Sequence, residues 1–380
     1  MRVALIHSYY SRAESSGENI VVDAQQRALA DAGFDTRIFS VSTDDLIQQS
    51  GYKARTAVHV ATGSGRSPVD ELRAFRPDIV HVHNLFPNWG TKWLRDWDGP
   101  VVATVHNFRA VCAAGTLFRD GHLCTLCPDH GSINAVKYGC YKGSKLASTP
   151  LAIRNRNGVA GDAVLVRADR VVVLSARSKE LYARFGVPME KLELIPNFVE
   201  DRNTLPIQST GSAWVFTGRL SPEKGIVSLL RNWTAGRTLH VYGDGPSREE
   251  VRALSVGNII YKGPVAHERI PEILSNAKGL IFPSEWPEGG IPQSYVEALA
   301  AGRPIVAKQG SSAADDVETS GVGAVFTDWG DLASALDAVE TSLESHALRA
   351  RQHYEEQFTV QKWVDAATVL YATLSSGQSS

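Results

Sequence analysis

The chain has 380 residues, 43% hydrophobic, 21% charged and 8% aromatic, with 39 Lys plus Arg against 41 Asp plus Glu. These proportions exclude a disordered, collagen-like or coiled-coil chain, and without a basic excess they argue against general nucleic-acid binding. A single hydrophobic core seldom grows past about 250 to 300 residues, so two domains are expected.

The first ten residues, MRVALIHSYY, hold only four apolar residues before a His, too short a run for a secretory signal. No stretch approaches the roughly 18 apolar residues of a membrane span. A cytoplasmic protein is expected, with peripheral contact at the inner face of the membrane left open. Short β-branched runs then alternate with longer segments of helical period, the pattern of a doubly wound parallel sheet. Strands are predicted over 2–7, 36–40, 78–83, 101–106, 170–174 and 192–195, with helices over 20–32, ended by Gly33, and 176–185, ended by Gly186. This is a first Rossmann-like domain, 1–197, interrupted by a Gly- and Cys-rich aperiodic insertion at 109–157. Periodicity lapses through the linker 198–212 (FVEDRNTLPIQSTGS). It resumes in a second such domain, 213–358, whose strands are AWVFTG, TLHVYG, NIIYKG, GLIFPS and PIVAK. Helical stretches at 345–358 and 360–374 follow; the segment 359–380 is expected to pack back on the first domain and to end in a disordered SSGQSS tail. Two such α/β domains imply a cleft, with ligands outside the carboxyl ends of the strands.

Motifs sit at those ends. GRLSPEKG (218–225) follows the AWVFT strand and places Arg219 and Lys224 in a Gly-bounded loop, where a guanidinium fork and an ammonium can converge on a diphosphate. A solvated strand-to-helix turn is the alternative. VYGDGP brings Gly243 to a similar junction, but Arg248 stands where a dinucleotide fingerprint needs its third Gly, so a nicotinamide dehydrogenase is a poor reading. FPSEWPEGGIPQSYVEALAAGRPIV (282–306) carries Glu285, Glu288, Gly289, Gly290, Ile291 and Glu297. Carboxylates suit the vicinal hydroxyls of a sugar and a ribose, and exposed backbone amides suit phosphate. Equally, Glu297 can serve the helix N-terminus and the Gly pair can merely turn the chain.

In this order the motifs resemble the donor-binding half of the family 4 retaining glycosyltransferases of the GT-B fold (glycosyl transferases group 1). Ser16-Gly17 is similar to the family's first glycine loop, VVATVHN to its Thr-x-His strand and LELIPNFVE to its strand before the linker. The resemblance implies two Rossmann-like domains facing across a cleft, and transfer of a sugar from a nucleoside diphosphate donor, UDP- or GDP-linked, with retention. It implies Arg219 and Lys224 on the diphosphate within the Gly218 loop, Glu297 on the ribose, and Glu288 with the amides of Gly289, Gly290 and Ile291 on the transferred sugar. His106 would face that sugar and Gly17 would let the first loop approach, with Gly243 lining the donor site. Eight residues separate Glu288 from Glu297 where the family usually has seven, so Glu285 stays an alternative for the first glutamate. No metal is required for catalysis by this reading. The acceptor is a glycan, lipid-linked or small-molecule species that the sequence does not name. A nucleotide-sugar epimerase or hydrolase of the same fold, and a non-catalytic sugar-nucleotide-binding protein, are the alternatives.

Three further features stand outside this pattern. His81 and His83, two apart on a strand, read as a metal pair or as strand-end residues satisfied in the core. Cys112, Cys124, Cys127 and Cys140 contain a C-x-x-C knuckle and read either as a structural zinc set or as buried or redox-sensitive thiols. The basic run around 137–145, with Arg154 and Arg156, reads as a phosphate-greeting surface or as a solvated loop.

Overall fold

The computed structural model describes residues 1–11, 17–203, 211–234 and 236–376. Ser16 of the first glycine loop, residues 204–210 of the expected linker and the last four residues of the polar tail lie outside them. The chain divides into two compact units, one of Met1–Leu117, Cys124–Ile195 and Val364–Ser380, the other of Phe118–Leu123 and Pro196–Trp363.

In chain order the first strands are β1 (Arg2–Tyr9), β2 (Asp35–Ser42), β3 (Ile79–Asn84), β4 (Val101–Val105), the short pair β5 (Phe118–Arg119) and β6 (His122–Leu123), then β7 (Arg170–Val173) and β8 (Leu192–Leu194). After residue 211 come β9 (Ala213–Thr217), β10 (Thr238–Tyr242), β11 (Ile259–Gly263), β12 (Gly279–Phe282), β13 (Ile305–Lys308) and β14 (Gly323–Phe326), which with β5 and β6 belong to the second unit. One sheet runs β2-β1-β3-β4-β7-β8 and the other β11-β10-β9-β12-β13-β14, every neighbouring pair within them parallel. Both are therefore doubly wound α/β sheets. Their central strands are covered on both faces, which is why they read as continuous β-branched runs: Val3, Ala4, Leu5 and Ile6 are wholly buried, as are Val101, Val102 and Ala103.

The second sheet has its third, second and first strands on one side and its fourth, fifth and sixth on the other. Its direction of winding reverses between β9 and β12. Loops leaving adjacent strands at such a reversal turn to opposite faces and open a crevice, the usual ligand position of this architecture. In the first sheet the reversal falls between β1 and β3.

The expected strands are present, with β4 ending one residue before His106. The last helix runs Val360–Ser376, so Ser375 and Ser376 are helical and not part of a disordered tail. The stretch read as an aperiodic insertion is different from expectation: it contains the helices Leu126–His130, Ile133–Tyr138 and Lys145–Arg154, and two more, Gly158–Gly161 and Ala163–Arg167, follow directly after it. None exceeds ten residues, too few turns for an apolar period to register. They are held by caps, Ser144 accepting from the Ala147 amide and Asp162 from those of Val164 and Leu165, and by a small core of Phe86, Ala113, Ala135, Leu151 and Ala152. The unforeseen helix Tyr52–Thr62 has no buried residue and hence no apolar stripe to betray it.

One polar cluster ties the second sheet to a covering helix. Glu340, on the helix Leu332–Thr341, accepts from Trp214 Nε1 of β9 at 2.9 Å, from Arg237 Nε beside β10 at 3.2 Å and from Lys278 Nζ beside β12 at 3.1 Å. Those hydrogen bonds hold the Glu340 carboxyl below its ordinary value, against the effect of burial. Replacing Glu340 with Ala leaves two cations and an indole N–H without their shared acceptor. The expected outcome is a loss of about 1.5 to 3 kcal/mol in the second unit, read as a lower urea midpoint for its transition.

Candidate functional site

The loop after β9 and the loop after β12 meet at the reversal point of the second sheet. Pro222–Lys224 form a single 3-10 turn, which Gly225 ends in a left-handed conformation (φ 66°). A Cβ on Gly225 would lie 2.0 Å from the Pro283 carbonyl oxygen, so only glycine lets the two loops pass this closely. That contact brings Lys224 Nζ to 2.7 Å from Glu288 Oε1, with the ammonium also 5.6 Å from the Phe282 ring centre and 5.4 Å from that of Trp286. Ser284 Oγ donates to the same carboxylate oxygen at 2.7 Å. Glu288 is 4% exposed and has φ 54°, a left-handed conformation that costs a non-glycine residue about 1 to 2 kcal/mol. Oε1 takes both bonds, which leaves Oε2 to accept from another group.

Glu285, the alternative first glutamate, is placed differently. Its amide donates to the Glu223 carbonyl at 3.1 Å and its half-buried carboxyl is raised by desolvation, with Lys308 opposing. Arg219 is exposed, and no described residue pairs with its guanidinium.

The neighbouring loop after β10 packs backbone to backbone on the same motif. The Gly218 amide donates to the Tyr242 carbonyl at 3.2 Å and the Leu220 amide to that of Asp244 at 2.9 Å. Gly243 (φ 138°) has no room for a side chain, because a Cβ there would stand 1.9 Å from the Gly218 carbonyl oxygen. The glycine at 243 is thus explained by the loop it supports. Gly289, Gly290 and Ile291 lead into the helix Gln293–Ala300, on which Glu297 is 6% exposed. Burial pushes the Glu297 carboxyl up to about 7, with Arg202 opposing, and His267 Nδ1 lies 3.4 Å from its Oε1. Ser284 stood inside a motif singled out from sequence without a role. His267 lies in an exposed 3-10 turn and gave no signal.

In the first unit, His106 ends a stack of imidazoles beside the strands β3 and β4. His81 and His83 rings are 4.3 Å apart and those of His83 and His106 5.4 Å, with His83 Nδ1 3.1 Å from His106 Nε2. His81 is satisfied by Thr104 Oγ1 at 2.7 Å and Tyr371 Oη at 2.6 Å, which answers the metal-pair reading: it is a core histidine. Burial lowers His81 and His106 to about 3, His7 to about 4, and His83 well below its ordinary value, with like charge from neighbouring histidines adding to the effect in His83 and His106. His106 is therefore a neutral group that can donate or accept a hydrogen bond. Gly17 opens the helix Gly17–Asp31, and a Cβ on it would meet nothing within 4 Å, so the chain's own packing does not demand a glycine there. The next residue, Glu18, has its carboxyl raised to about 8 by burial, with Arg109 and Asn84 opposing; sequence reading missed it.

The zinc reading of the cysteines is not supported. Cys112, Cys124, Cys127 and Cys140 are half-buried and form no disulfide, and among the described residues no group of three or more His, Cys, Asp or Glu is arranged to hold a metal ion. The thiols are neighbours: burial and then the charges of Cys112, Cys140 and Cys124 push Cys127 up to about 12. Cys127 and Cys140 pack against the small core under the short helices, the setting of structural thiols.

The buried histidines fix a pH dependence. A histidine whose folded pKa lies below its unfolded 6.5 binds its proton more readily when unfolded, so stability is full above 6.5 and falls as pH drops toward 4. Glu18 acts in the opposite sense between about 4.5 and 8, but one carboxyl stands against four imidazoles. The first unit is expected to lose at least about 1.4 kcal/mol per pH unit between 6.5 and 5, one net proton, read from urea midpoints across that range.

The model for Glycosyltransferase Family 4 matches residues 15–203 and that for Glycosyl transferases group 1 matches residues 211–345. The 2-deoxystreptamine N-acetyl-D-glucosaminyltransferase of Streptomyces fradiae is 28% identical over 262 residues, 61% of this chain and 55% of that relative, so this chain spans little more than half its length. Among solved structures, a sucrose-phosphate synthase from Thermosynechococcus elongatus superposes with a TM-score of 0.70 at 19% identity, covering 99% of both chains. Anabaena HepE in complex with UDP and glucose superposes with a TM-score of 0.63 at 15% identity, covering 98% of this chain and 100% of that one. The two structures share the fold, and the two family models together match most of the sequence, 15–203 and 211–345: the chain belongs to the family 4, group 1 glycosyltransferases of the GT-B fold.

Proposed function

We propose that the protein transfers a sugar from a UDP- or GDP-sugar to an acceptor hydroxyl with retention of anomeric configuration. The observation that carries this reading is the cationic loop at the β9/β12 reversal, where unpaired Arg219 and Glu288-bound Lys224 stand beside a carboxylate with one oxygen to spare. The complex of HepE with UDP supports the choice of a nucleoside diphosphate.

As the bond from the sugar's anomeric carbon to the diphosphate oxygen breaks, negative charge grows on the leaving group and positive charge on the sugar ring. The Arg219 guanidinium and Lys224 ammonium stabilise the former. The acceptor oxygen bonds to the anomeric carbon from the same face, and its proton passes to a leaving phosphate oxygen, giving glycoside and nucleoside diphosphate. Glu288 Oε2 and the amides of Gly289, Gly290 and Ile291 hold the transferred sugar, and Glu297 accepts from the ribose hydroxyls. Gly218 and Gly243 keep the diphosphate loop in shape, and Gly17 admits the ligand to the first loop. His106, uncharged, positions the sugar by hydrogen bonding and supplies no proton. The acceptor is a glycan, a lipid-linked species or a small molecule, and among the described residues no helix is long and apolar enough to cross a membrane.

Calorimetric titration with UDP, GDP, ADP and dTDP tests the donor site. Lys224→Ala should weaken the preferred nucleotide by about 1.5 to 3 kcal/mol, the scale of hydrogen bonds to charged groups. Glu288→Gln should keep or strengthen nucleotide binding, since a negative charge leaves the diphosphate site, while the preference for nucleotide-sugar over nucleotide disappears. Unchanged UDP and GDP affinity in Lys224→Ala removes the assignment. Product anomeric configuration by proton NMR decides retention, and turnover at full rate without acceptor would mark a hydrolase instead.

A further inference from the structure

A cavity of about 190 Å³ opens in the first unit beside the chain that leaves β3. Phe86 and Trp89 of that segment line it, together with the last turn of the helix Tyr52–Thr62 and the short helices after residue 153. Its charge is one-sided. Lys92, Arg95, Arg154 and Arg156 face it, with His59, against the single carboxylate of Asp162. That carboxylate is already engaged by Arg154 Nη2 at 2.8 Å and by the amides of Val164 and Leu165 at 3.1 Å each. No described carboxylate pairs with Lys92, Arg95 or Arg156. The arrangement is also braced: the amides of Thr91 and Lys92 donate to the Gly63 carbonyl at 2.8 and 3.1 Å, fixing the Lys92 turn against the end of the helix that carries His59.

We propose that this cavity binds a phosphate or pyrophosphate group. Three unpaired cations held around one concavity repel each other until an anion enters, and two guanidinium forks match the oxygens of a phosphate better than a single carboxylate can. The volume is below the roughly 300 to 1,000 Å³ of sites for whole drug-sized ligands, so it takes a phosphorylated headgroup and not an entire lipid or oligosaccharide. The site lies off the carboxyl end of β3, the edge of the sheet at which His106 follows β4, where the acceptor's anionic part would sit. Only this last step, that the phosphate belongs to the acceptor, rests on the glycosyl-transfer reading; the binding does not.

The same chemistry comes from a soluble phosphate or from a lipid headgroup, and two arms separate them. Calorimetry with inorganic pyrophosphate uses an Arg219→Ala/Lys224→Ala background, so that both cations of the donor loop are absent and that loop's own failure is read separately with UDP and GDP. Adding Lys92→Gln, Arg95→Gln and Arg156→Gln should weaken pyrophosphate by about tenfold or more, and binding before that change should weaken as salt rises. The second arm is co-sedimentation with phosphatidylglycerol vesicles against phosphatidylcholine ones. Loss of phosphatidylglycerol binding in the triple variant, even where free pyrophosphate does not bind, assigns the cavity to a headgroup. All three side chains are exposed, and circular dichroism checks the fold; Arg156→Gln alone replaces the triple variant if it misfolds. Equal pyrophosphate affinity with and without the substitutions, or no pyrophosphate binding together with unchanged vesicle binding, overturns the proposal.

Discussion

The contact between Lys224 and Glu288 organises the loops at the reversal of the second sheet. The Glu288 side chain is buried while that of Lys224 is 22% exposed, so the ammonium and the Ser284 hydroxyl supply the partners that a buried carboxylate needs. The pairing exists because Gly225 lets the β9 loop slide beneath the β12 loop, and because Glu288 accepts a left-handed backbone to turn its carboxylate inward. Strain of this kind persists only where surrounding structure over-determines it, here through Ser284 and the ammonium together.

The two units differ in how they handle charge. The second presents full charges at the reversal of its sheet, braced by backbone contacts among the glycine loops. The first presents a column of uncharged imidazoles beside β3 and β4, and keeps its cations at a separate concavity off β3. Burial produces the first pattern and ion pairing the second. The two therefore respond differently to conditions: salt weakens exposed cationic sites, whereas acid disrupts the imidazole column.

How much was legible in the sequence follows from the length scale of each signal. Parallel strands buried on both faces announce themselves as β-branched runs, so both sheets could be read directly, and GRLSPEKG and PEGGIPQSYVE reveal their loops through fixed residue types. The sequence left Glu285 and Glu288 open as the sugar-contacting glutamate and gave no sign that Glu288 pairs with Lys224, a contact made from a left-handed backbone at residue 288. The cysteine spacing left a zinc set and buried thiols equally open, and only the fold shows Cys127 and Cys140 packed against a small core under helices too short to show a period. The cationic cavity joins residues 59, 92, 95, 154 and 156, which only the folded chain brings together.

The imidazole column also links the protonation of its members. The hydrogen bond between His83 Nδ1 and His106 Nε2 contains one proton, so one ring must donate and the other accept. His83 Nε2 is buried with no partner among the described residues, and an unmated N–H there is costlier than a bare lone pair. The tautomer that places the shared proton on His83 is thereby favoured, and it obliges His106 to carry its own proton on Nδ1. The neighbouring histidine, His83, thus decides which face of His106 is a donor.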